Sequence, residues 1–120
     1  MRLRTAWLAL GWLWVIVVFW LCLMPHPPQP LKFPQADKLE HMLTYCWLML
    51  WFSQLAFKRL RLALVLVAMG VLIEVLQGME GFRDFEVADM VADAVGVSVG
   101  WLLARTRLGQ VLKVLESYAR

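Results

Sequence analysis

The feature that most constrains this chain is a series of about four apolar stretches separated by short polar links. The first stretch, residues 5–24, contains no charged residue. About 20 apolar residues suffice for a helix to cross the hydrocarbon core of a bilayer. Because lipid offers no hydrogen-bond partners, a spanning segment must satisfy its own backbone, as an α-helix does. The sequence therefore predicts an all-α fold: a small integral membrane bundle of four transmembrane helices, with a C-terminal amphipathic helix.

The composition agrees with a membrane protein and argues against other classes. Of the 120 residues, 62% are hydrophobic and 18% are charged, which is too apolar for an ordinary soluble domain. The length allows one bundle and no second domain. The pI near 9.2 does not indicate nucleic-acid binding, because the basic residues flank apolar spans and are explained by membrane topology. We therefore expect membrane lipid, and no nucleic acid, as a partner.

The predicted spans differ in length and in their flanking loops. They are residues 5–24, 37–57, 62–77 and 87–104, which together make a transmembrane domain over residues 1–104. All five prolines fall between residues 25 and 34, so this segment must be a loop outside the hydrocarbon. Gly78 and Gly81 predict a further loop after the third span. That span is short and is expected to stand near the bilayer normal.

The tail over residues 105–120 has a different pattern. Its apolar residues repeat with helical spacing, at Leu108, Val111, Leu112 and Leu115. The spacing is typical of an amphipathic helix. Such a helix would lie in the cytoplasm or on the membrane surface, or dock onto a partner protein, and the pattern fits these alternatives equally well.

The basic residues predict the topology of the spans. Nine of them fall on one side and three on the other. The nine are Arg2, Arg4, Lys58, Arg59, Arg61, Arg105, Arg107, Lys113 and Arg120, and the three are Lys32, Lys38 and Arg83. Cytoplasmic loops of membrane proteins carry an excess of Lys and Arg. Both termini are therefore predicted to be cytoplasmic, and the loops after spans one and three are predicted to be external.

Polar residues gather in the outer third of the spans, beginning with span two. Asp37, His41 and Tyr45 recur every four residues there and so share one face of the helix. His41 can donate or accept a proton near neutral pH and can ligate a metal. Asp37 is equally well explained as a helix cap. Tyr45 is equally well explained as an anchor at the membrane interface.

On span three, Glu74 and Gln77 share a face inside an otherwise apolar run. A carboxylate within a membrane helix costs about 2.5–3.5 kcal/mol on insertion scales. Glu74 therefore requires a partner, such as Arg83 or His41, or a water-filled cavity. A polar clasp between helices is the alternative to a functional role.

Span four combines acids with small residues on one stripe. Asp89, Asp93, Gly96 and Gly100 follow a heptad-like spacing. Small residues at this spacing allow close approach of another helix. The glycines therefore predict a packing seam that turns the two acids into the bundle, beside Arg83.

Three kinds of chemistry fit this collection of side chains. As an acid–base pair, His41 and Glu74 would be the catalytic residues, and Arg83 would clamp an anionic substrate. Asp89 and Asp93 are the candidate ligands if a divalent cation binds, although no spacing forms a recognised metal signature. A polar ligand held without catalysis is the third kind. No cofactor is specified by the sequence, and the oligomeric state is left open.

The order and spacing of these residues resemble the VanZ-like membrane protein family. The matching blocks are Asp37-Lys38-x-x-His41-x-x-x-Tyr45, Glu74-x-x-Gln77 and Arg83-x-Phe85-Glu86-x-x-Asp89-x-x-x-Asp93-x-x-Gly96-x-x-x-Gly100. The resemblance covers about residues 37 to 100, and the family pattern usually has Asn at the position of Asp93. It implies a multi-pass protein of the bacterial cytoplasmic membrane whose polar site, including Lys38, faces outward.

The founding member of that family is associated with low-level resistance to the glycopeptide teicoplanin. The resemblance therefore implies an envelope protein that affects glycopeptide susceptibility through its polar site, with a lipid-linked or cell-wall component as ligand. Two alternatives stay open at the level of sequence. One is a membrane-embedded enzyme that acts on such a component, and the other is a structural accessory subunit of a membrane assembly.

The predicted topology can be measured with reporter fusions. A reporter that is active only in the cytoplasm should be active when fused after residue 60 or at the C-terminus. The same reporter should be inactive when fused within residues 25–34. An external location for residue 60 would contradict the charge-based topology.

Overall fold

In the computed structural model, residues 2–23, 36–55, 57–80 and 87–119 are described. Every regular element among them is helical. The elements are α1 (Arg2–Leu23), α2 (Ala36–Ser53), α3 (Arg59–Glu80), α4 (Val87–Ala104), a 3₁₀ helix (Arg107–Gln110) and α5 (Val111–Ala119). The predicted all-α class is confirmed for this part of the chain.

Three of these helices are long and apolar enough to cross a membrane. They are Leu3–Leu23 of α1, Arg59–Met79 of α3 and Val87–Ala104 of α4. The second predicted span is not among them. Its helix has 18 residues, and the first five of these include Asp37, Lys38 and Glu40. The three long apolar helices thus indicate a multi-pass membrane protein.

The third helix is longer than the sequence pattern predicted. It contains 22 residues, about 33 Å at a rise of 1.5 Å per residue, and it includes Gly78. The expectations that span three is short and that Gly78 breaks it are therefore wrong. A glycine weakens a helix interior by about 1 kcal/mol, which neighbouring turns of α3 readily offset. The predicted loop residue Gly81 lies outside the described residues.

The closest helix packing joins α2 to α4 and depends on two glycines. A Cβ atom at Gly96 would overlap the backbone carbonyl oxygen of Met42. A Cβ atom at Gly100 would lie 2.7 Å from the carbonyl oxygen of Cys46 and 2.8 Å from Cβ of Met49. Only a residue without a side chain permits this approach. The two backbones are therefore in direct contact along one stripe of α4.

Two indole rings join α1 to α2. The rings of Trp7 and Trp51 stack with centroids 3.8 Å apart and planes 9° from parallel. Each indole N–H donates to the backbone of the other helix, from Trp7 to the Trp51 carbonyl at 2.7 Å and from Trp51 to the Trp7 carbonyl at 2.9 Å. Buried indole N–H groups need such acceptors. The start of α1 therefore lies beside the end of α2.

A second pair of helix ends, the start of α3 and the end of α4, is joined by Arg59. Its Nη2 donates to the carbonyl oxygen of Ala104, at the end of α4, over 3.0 Å. The last carbonyls of a helix have no partner within the helix, and a guanidinium satisfies one here. We call the end of the bundle that contains Lys58, Arg59, Arg61, Arg105 and Arg107 the basic end.

The tail packs against the basic end through Gln54. The side-chain amide of Gln54 donates to the Leu108 carbonyl at 2.7 Å, and its oxygen accepts from the Leu112 amide at 3.2 Å. Leu112 is 4% exposed, whereas Leu108 and Leu115 are about half exposed. The predicted C-terminal helix is present as α5, with Leu112 against the bundle and Leu115 outside. Because the tail begins as a 3₁₀ helix, residues before and after Val111 do not continue one α-helical stripe.

The glycine contact generates a stability prediction. Replacing Gly96 with Ala should lower the free energy of unfolding by about 1–3 kcal/mol, the usual cost of overpacking, because the new methyl group meets backbone that cannot rotate away. Unfolding in mixed micelles with increasing SDS measures this loss. Gly78→Ala is the matched control, since Gly78 is an exposed glycine within α3. Equal stability of the Gly96 variant and wild type would contradict the packing model.

Candidate functional site

Four charged or titratable side chains of α2 and α4 form one connected group, which we call the polar network. Its members are Lys38, His41, Asp89 and Asp93. Lys38 Nζ lies 2.7 Å from Asp89 Oδ1. His41 Nδ1 lies 2.8 Å from Asp93 Oδ1, and its Nε2 lies 3.9 Å from Asp89 Oδ2. The imidazole thus stands between two carboxylates.

Helix periodicity places these side chains opposite each other. Lys38 and His41 are three residues apart on α2, and Asp89 and Asp93 are four apart on α4, so each pair shares one face. The backbone contact at Gly96 fixes the register between the two helices, since Met42 follows His41 directly. The network therefore lies on the stripe that continues the glycine contact toward the first turns of α2 and α4. We call this end of the bundle the histidine end.

Burial increases along the network from Lys38 to Asp93. The exposed fraction of the side chain falls from 22% for Lys38 to 11% for both His41 and Asp89, and to 3% for Asp93. A buried charge requires a partner to offset its lost hydration. Each member of the network has such a partner: Lys38 pairs with Asp89, and His41 pairs with Asp93. Lys38 is thus the most exposed of the four side chains.

A third helix closes the network from behind. A Cβ atom at Gly70 of α3 would lie 2.5 Å from Oδ2 of Asp93 and 3.2 Å from its Cβ. Gly70 stands near the midpoint of the 22 residues of α3. The Asp93 carboxylate therefore packs against the middle of α3.

Glu74 and Tyr45 are buried next to the network. Their exposed fractions are 1% and 2%, and the charge of Glu74 acts electrostatically on both His41 and Tyr45. This places Glu74 in the surroundings of His41. The expected pairing of Glu74 with Arg83 falls on a residue outside the described part of the chain.

Gln77 has a separate role in the packing. Its side-chain amide donates to the carbonyl oxygen of Cys22 in α1 over 2.7 Å, and Gln77 itself is buried. The bond links the last turn of α1 to α3. Of the predicted site residues, Gln77 therefore joins helix to helix and does not contact the polar network.

Two predicted site residues are placed only partly or not at all. Asp37 lies in the first turn of α2, but its side chain is outside the described part. Arg83 is not among the described residues.

Gly96 and Gly100, the predicted seam, both lie against α2 as given above. Gly70 was not predicted, because a single glycine in an apolar helix has no spacing that reveals its partner.

The geometry of the candidate metal ligands is that of ion pairs. Asp89 faces Lys38 and Asp93 faces His41. Among the described residues, no three His, Cys, Asp or Glu side chains are grouped so that they could hold one metal ion.

The contact between His41 and Asp93 defines what the network can do chemically. With the Asp93 carboxylate accepting a hydrogen bond from Nδ1–H, the ring orientation is fixed and Nε2 of the neutral ring is left as an acceptor. That nitrogen points toward Asp89 across a gap longer than a hydrogen bond. A polar group that enters from the Lys38 side would meet an ammonium group, a carboxylate and an imidazole nitrogen.

Comparison with known proteins gives no further assignment. The chain matches no protein-family model, no curated protein and no solved structure. The resemblance to VanZ-like proteins therefore depends on the order and spacing of the residues quoted above.

A double-mutant cycle tests the inner contact of the network. The coupling energy between His41→Ala and Asp93→Ala should be about 1 kcal/mol, in the range measured for side-chain hydrogen bonds between membrane helices. The coupling between His41→Ala and Asp89→Ala should be smaller, because those groups are 3.9 Å apart. Unfolding in mixed micelles supplies the four free energies of each cycle. A coupling near zero for the first pair would contradict the contact.

Proposed function

We propose that this chain is a four-span protein of the bacterial cytoplasmic membrane, VanZ-like, with both termini in the cytoplasm. The arrangement of helix ends supports α2 as the fourth span. The start of α1 lies beside the end of α2, and the start of α3 lies beside the end of α4. An alternating path of this kind makes each helix run opposite to the one before it. If α1, α3 and α4 cross the bilayer, α2 must cross with them.

The distribution of charge supports the proposed orientation. The basic end carries the Lys and Arg residues that the positive-inside rule assigns to the cytoplasm. The histidine end, with Lys38 as its most accessible network member, then faces the outside of the cell. Lys38 lies in the first turn of α2, between the charged positions Asp37 and Glu40. Its long side chain can reach the headgroup region.

The function that the geometry supports best is binding of a polar, lipid-linked or cell-wall component at the histidine end, with an effect on glycopeptide susceptibility. The observation that carries this proposal is the polar network itself, open at Lys38 and closed at Asp93. The glycine contact already holds α2 against α4. Charged groups that are buried between helices lose hydration, so a network of them is poorly explained by packing stability alone.

The network's chemistry suits a ligand with both donor and acceptor groups. Lys38 presents an ammonium group that can contact an anionic headgroup. Behind it, the Asp89 carboxylate and the His41 ring can accept hydrogen bonds from hydroxyl or amide groups. Headgroups of lipid-linked envelope precursors carry such groups next to an apolar chain. A site that lies within the bundle at the membrane surface is reached by this type of molecule without leaving the bilayer.

A second candidate function is acid–base catalysis on the same class of ligand. It is favoured by one observation: Asp93 binds Nδ1 of His41, which is the arrangement that orients a histidine as a general base. Glu74, buried next to His41, would be the acid in this reading. The two candidates share the site and differ in whether proton transfer by His41 is required.

Teicoplanin susceptibility of a deletion strain tests the proposal. Complementation with wild type should change susceptibility relative to the empty deletion, and His41→Ala and Asp93→Ala should lose that change. His41→Gln separates the candidates, because glutamine keeps hydrogen-bonding groups but cannot transfer a proton. Partial retention supports binding, whereas complete loss supports acid–base chemistry.

The control is Ser98→Ala, which removes an exposed hydroxyl that bonds only to the Ala94 carbonyl of its own helix. Membrane abundance of every variant must be measured in parallel. Loss of function that merely follows loss of protein would support the structural accessory role instead. If wild type itself leaves susceptibility unchanged, the proposal is wrong for this protein.

A further inference from the structure

The tail helix α5 has a second apolar surface that the bundle does not cover. Leu112 and Glu116, four residues apart, are buried. Val111, Leu115 and Tyr118 follow at spacings of four and three residues, so they form another stripe. Their exposed fractions are 37%, 45% and 83%. We call these three residues the tail stripe.

The two stripes of α5 lie next to each other around the helix. Successive residues of an α-helix are rotated by about 100°, so Leu115 lies beside the buried Leu112 face and Lys113 and Ser117 lie on the other flank. Lys113 and Ser117 are exposed. The helix therefore has a face on the bundle, an apolar flank and a polar flank. This is the arrangement of a helix at the boundary between acyl chains and headgroups.

The exposed charges around the tail stripe have one sign. Lys58, Arg61, Arg105, Arg107 and Lys113 are all exposed. Glu116 is the only acid in the described residues of the tail, and it is 7% exposed and turned toward the bundle. The outward surface of this end is therefore basic and apolar together, which is complementary to an anionic lipid leaflet.

The tail is held at a fixed position relative to the proposed spans. Gln54 binds both Leu108 and Leu112, and Arg59 binds the last turn of α4. The basic end is also where apolar helices α3 and α4 leave the predicted hydrocarbon region. The tail stripe thus lies at the end of the bundle where α3 begins and α4 ends.

We propose that the 3₁₀–α5 tail is a docking site for anionic phospholipid headgroups. The tail stripe would insert between the lipids, and Arg105, Arg107 and Lys113 would contact their phosphate groups. This site is separate from the polar network and does not depend on the function proposed for it. It requires only that the helices span a membrane.

The experiment uses full-length protein in nanodiscs, either of phosphatidylcholine alone or with phosphatidylglycerol added. A single cysteine is introduced as Leu115→Cys, in a chain carrying Cys22→Ala and Cys46→Ala, and is labelled with an environment-sensitive fluorophore. Ser117→Cys is the matched control, because Ser117 is on the polar flank and its hydroxyl bonds only within α5. The label at 115, but not at 117, should be shielded from a water-soluble quencher when phosphatidylglycerol is present.

The charge contribution is measured with Arg105→Gln, Arg107→Gln and Lys113→Gln. Native mass spectrometry counts the phosphatidylglycerol that the purified protein retains. We expect the affinity for this lipid to fall about fivefold for each basic residue removed. The triple variant should also lose the shielding at position 115.

Three results would overturn the proposal. Equal quenching at 115 and 117 would place the tail stripe in water. Equal shielding in both lipid compositions, unaffected by the triple variant, would exclude a role for anionic headgroups. Shielding that appears only when two chains share a nanodisc would show that a second copy of this chain covers the stripe.

Discussion

The structure depends first on the backbone contact between α2 and α4. Gly96 and Gly100 bring α4 so close to Met42 and Cys46 that no side chain fits between them. In a membrane, apolar surface gains little by leaving lipid, so close packing of this kind is a main source of helix association. The contact also fixes the register of the two helices. The contacts of Lys38 with Asp89 and of His41 with Asp93 follow from that register.

The polar network is a consequence of this register and of a third glycine. His41 meets Asp93 because His41 directly precedes Met42 and Asp93 lies about one turn before Gly96, and Gly70 leaves the room on α3 that the Asp93 carboxylate occupies. A half-satisfied network inside a membrane would be costlier than an apolar one. Here the carboxylates are paired in sequence, with Lys38 and with His41. Side-chain exposure falls along the network from Lys38 to Asp93.

The tail illustrates how tertiary contacts divide a sequence pattern. Leu108, Val111, Leu112 and Leu115 are equivalent by spacing, yet only Leu112 is buried. Leu108 lies in the 3₁₀ segment, and the Leu112 amide donates to the Gln54 side chain of α2's C-terminal turn. The remaining apolar residues stay on the outside beside basic side chains. The spacing of apolar residues can identify an amphipathic helix. It does not separate the face that packs on the bundle from the apolar face that stays exposed.

The sequence by itself determined the helical class and the residues that are polar where polarity is costly, because chain composition and periodicity are local properties. It also pointed to His41, Asp89 and Asp93 as neighbours along their own helices. Only the tertiary structure decided the partners between helices: Asp93 with His41, Gln77 with the Cys22 carbonyl, and Gly70 behind the acid. Those pairings depend on the relative rotation and register of helices, which no spacing within one helix specifies. The structure also corrects the length of α3, which continues through Gly78 to Glu80.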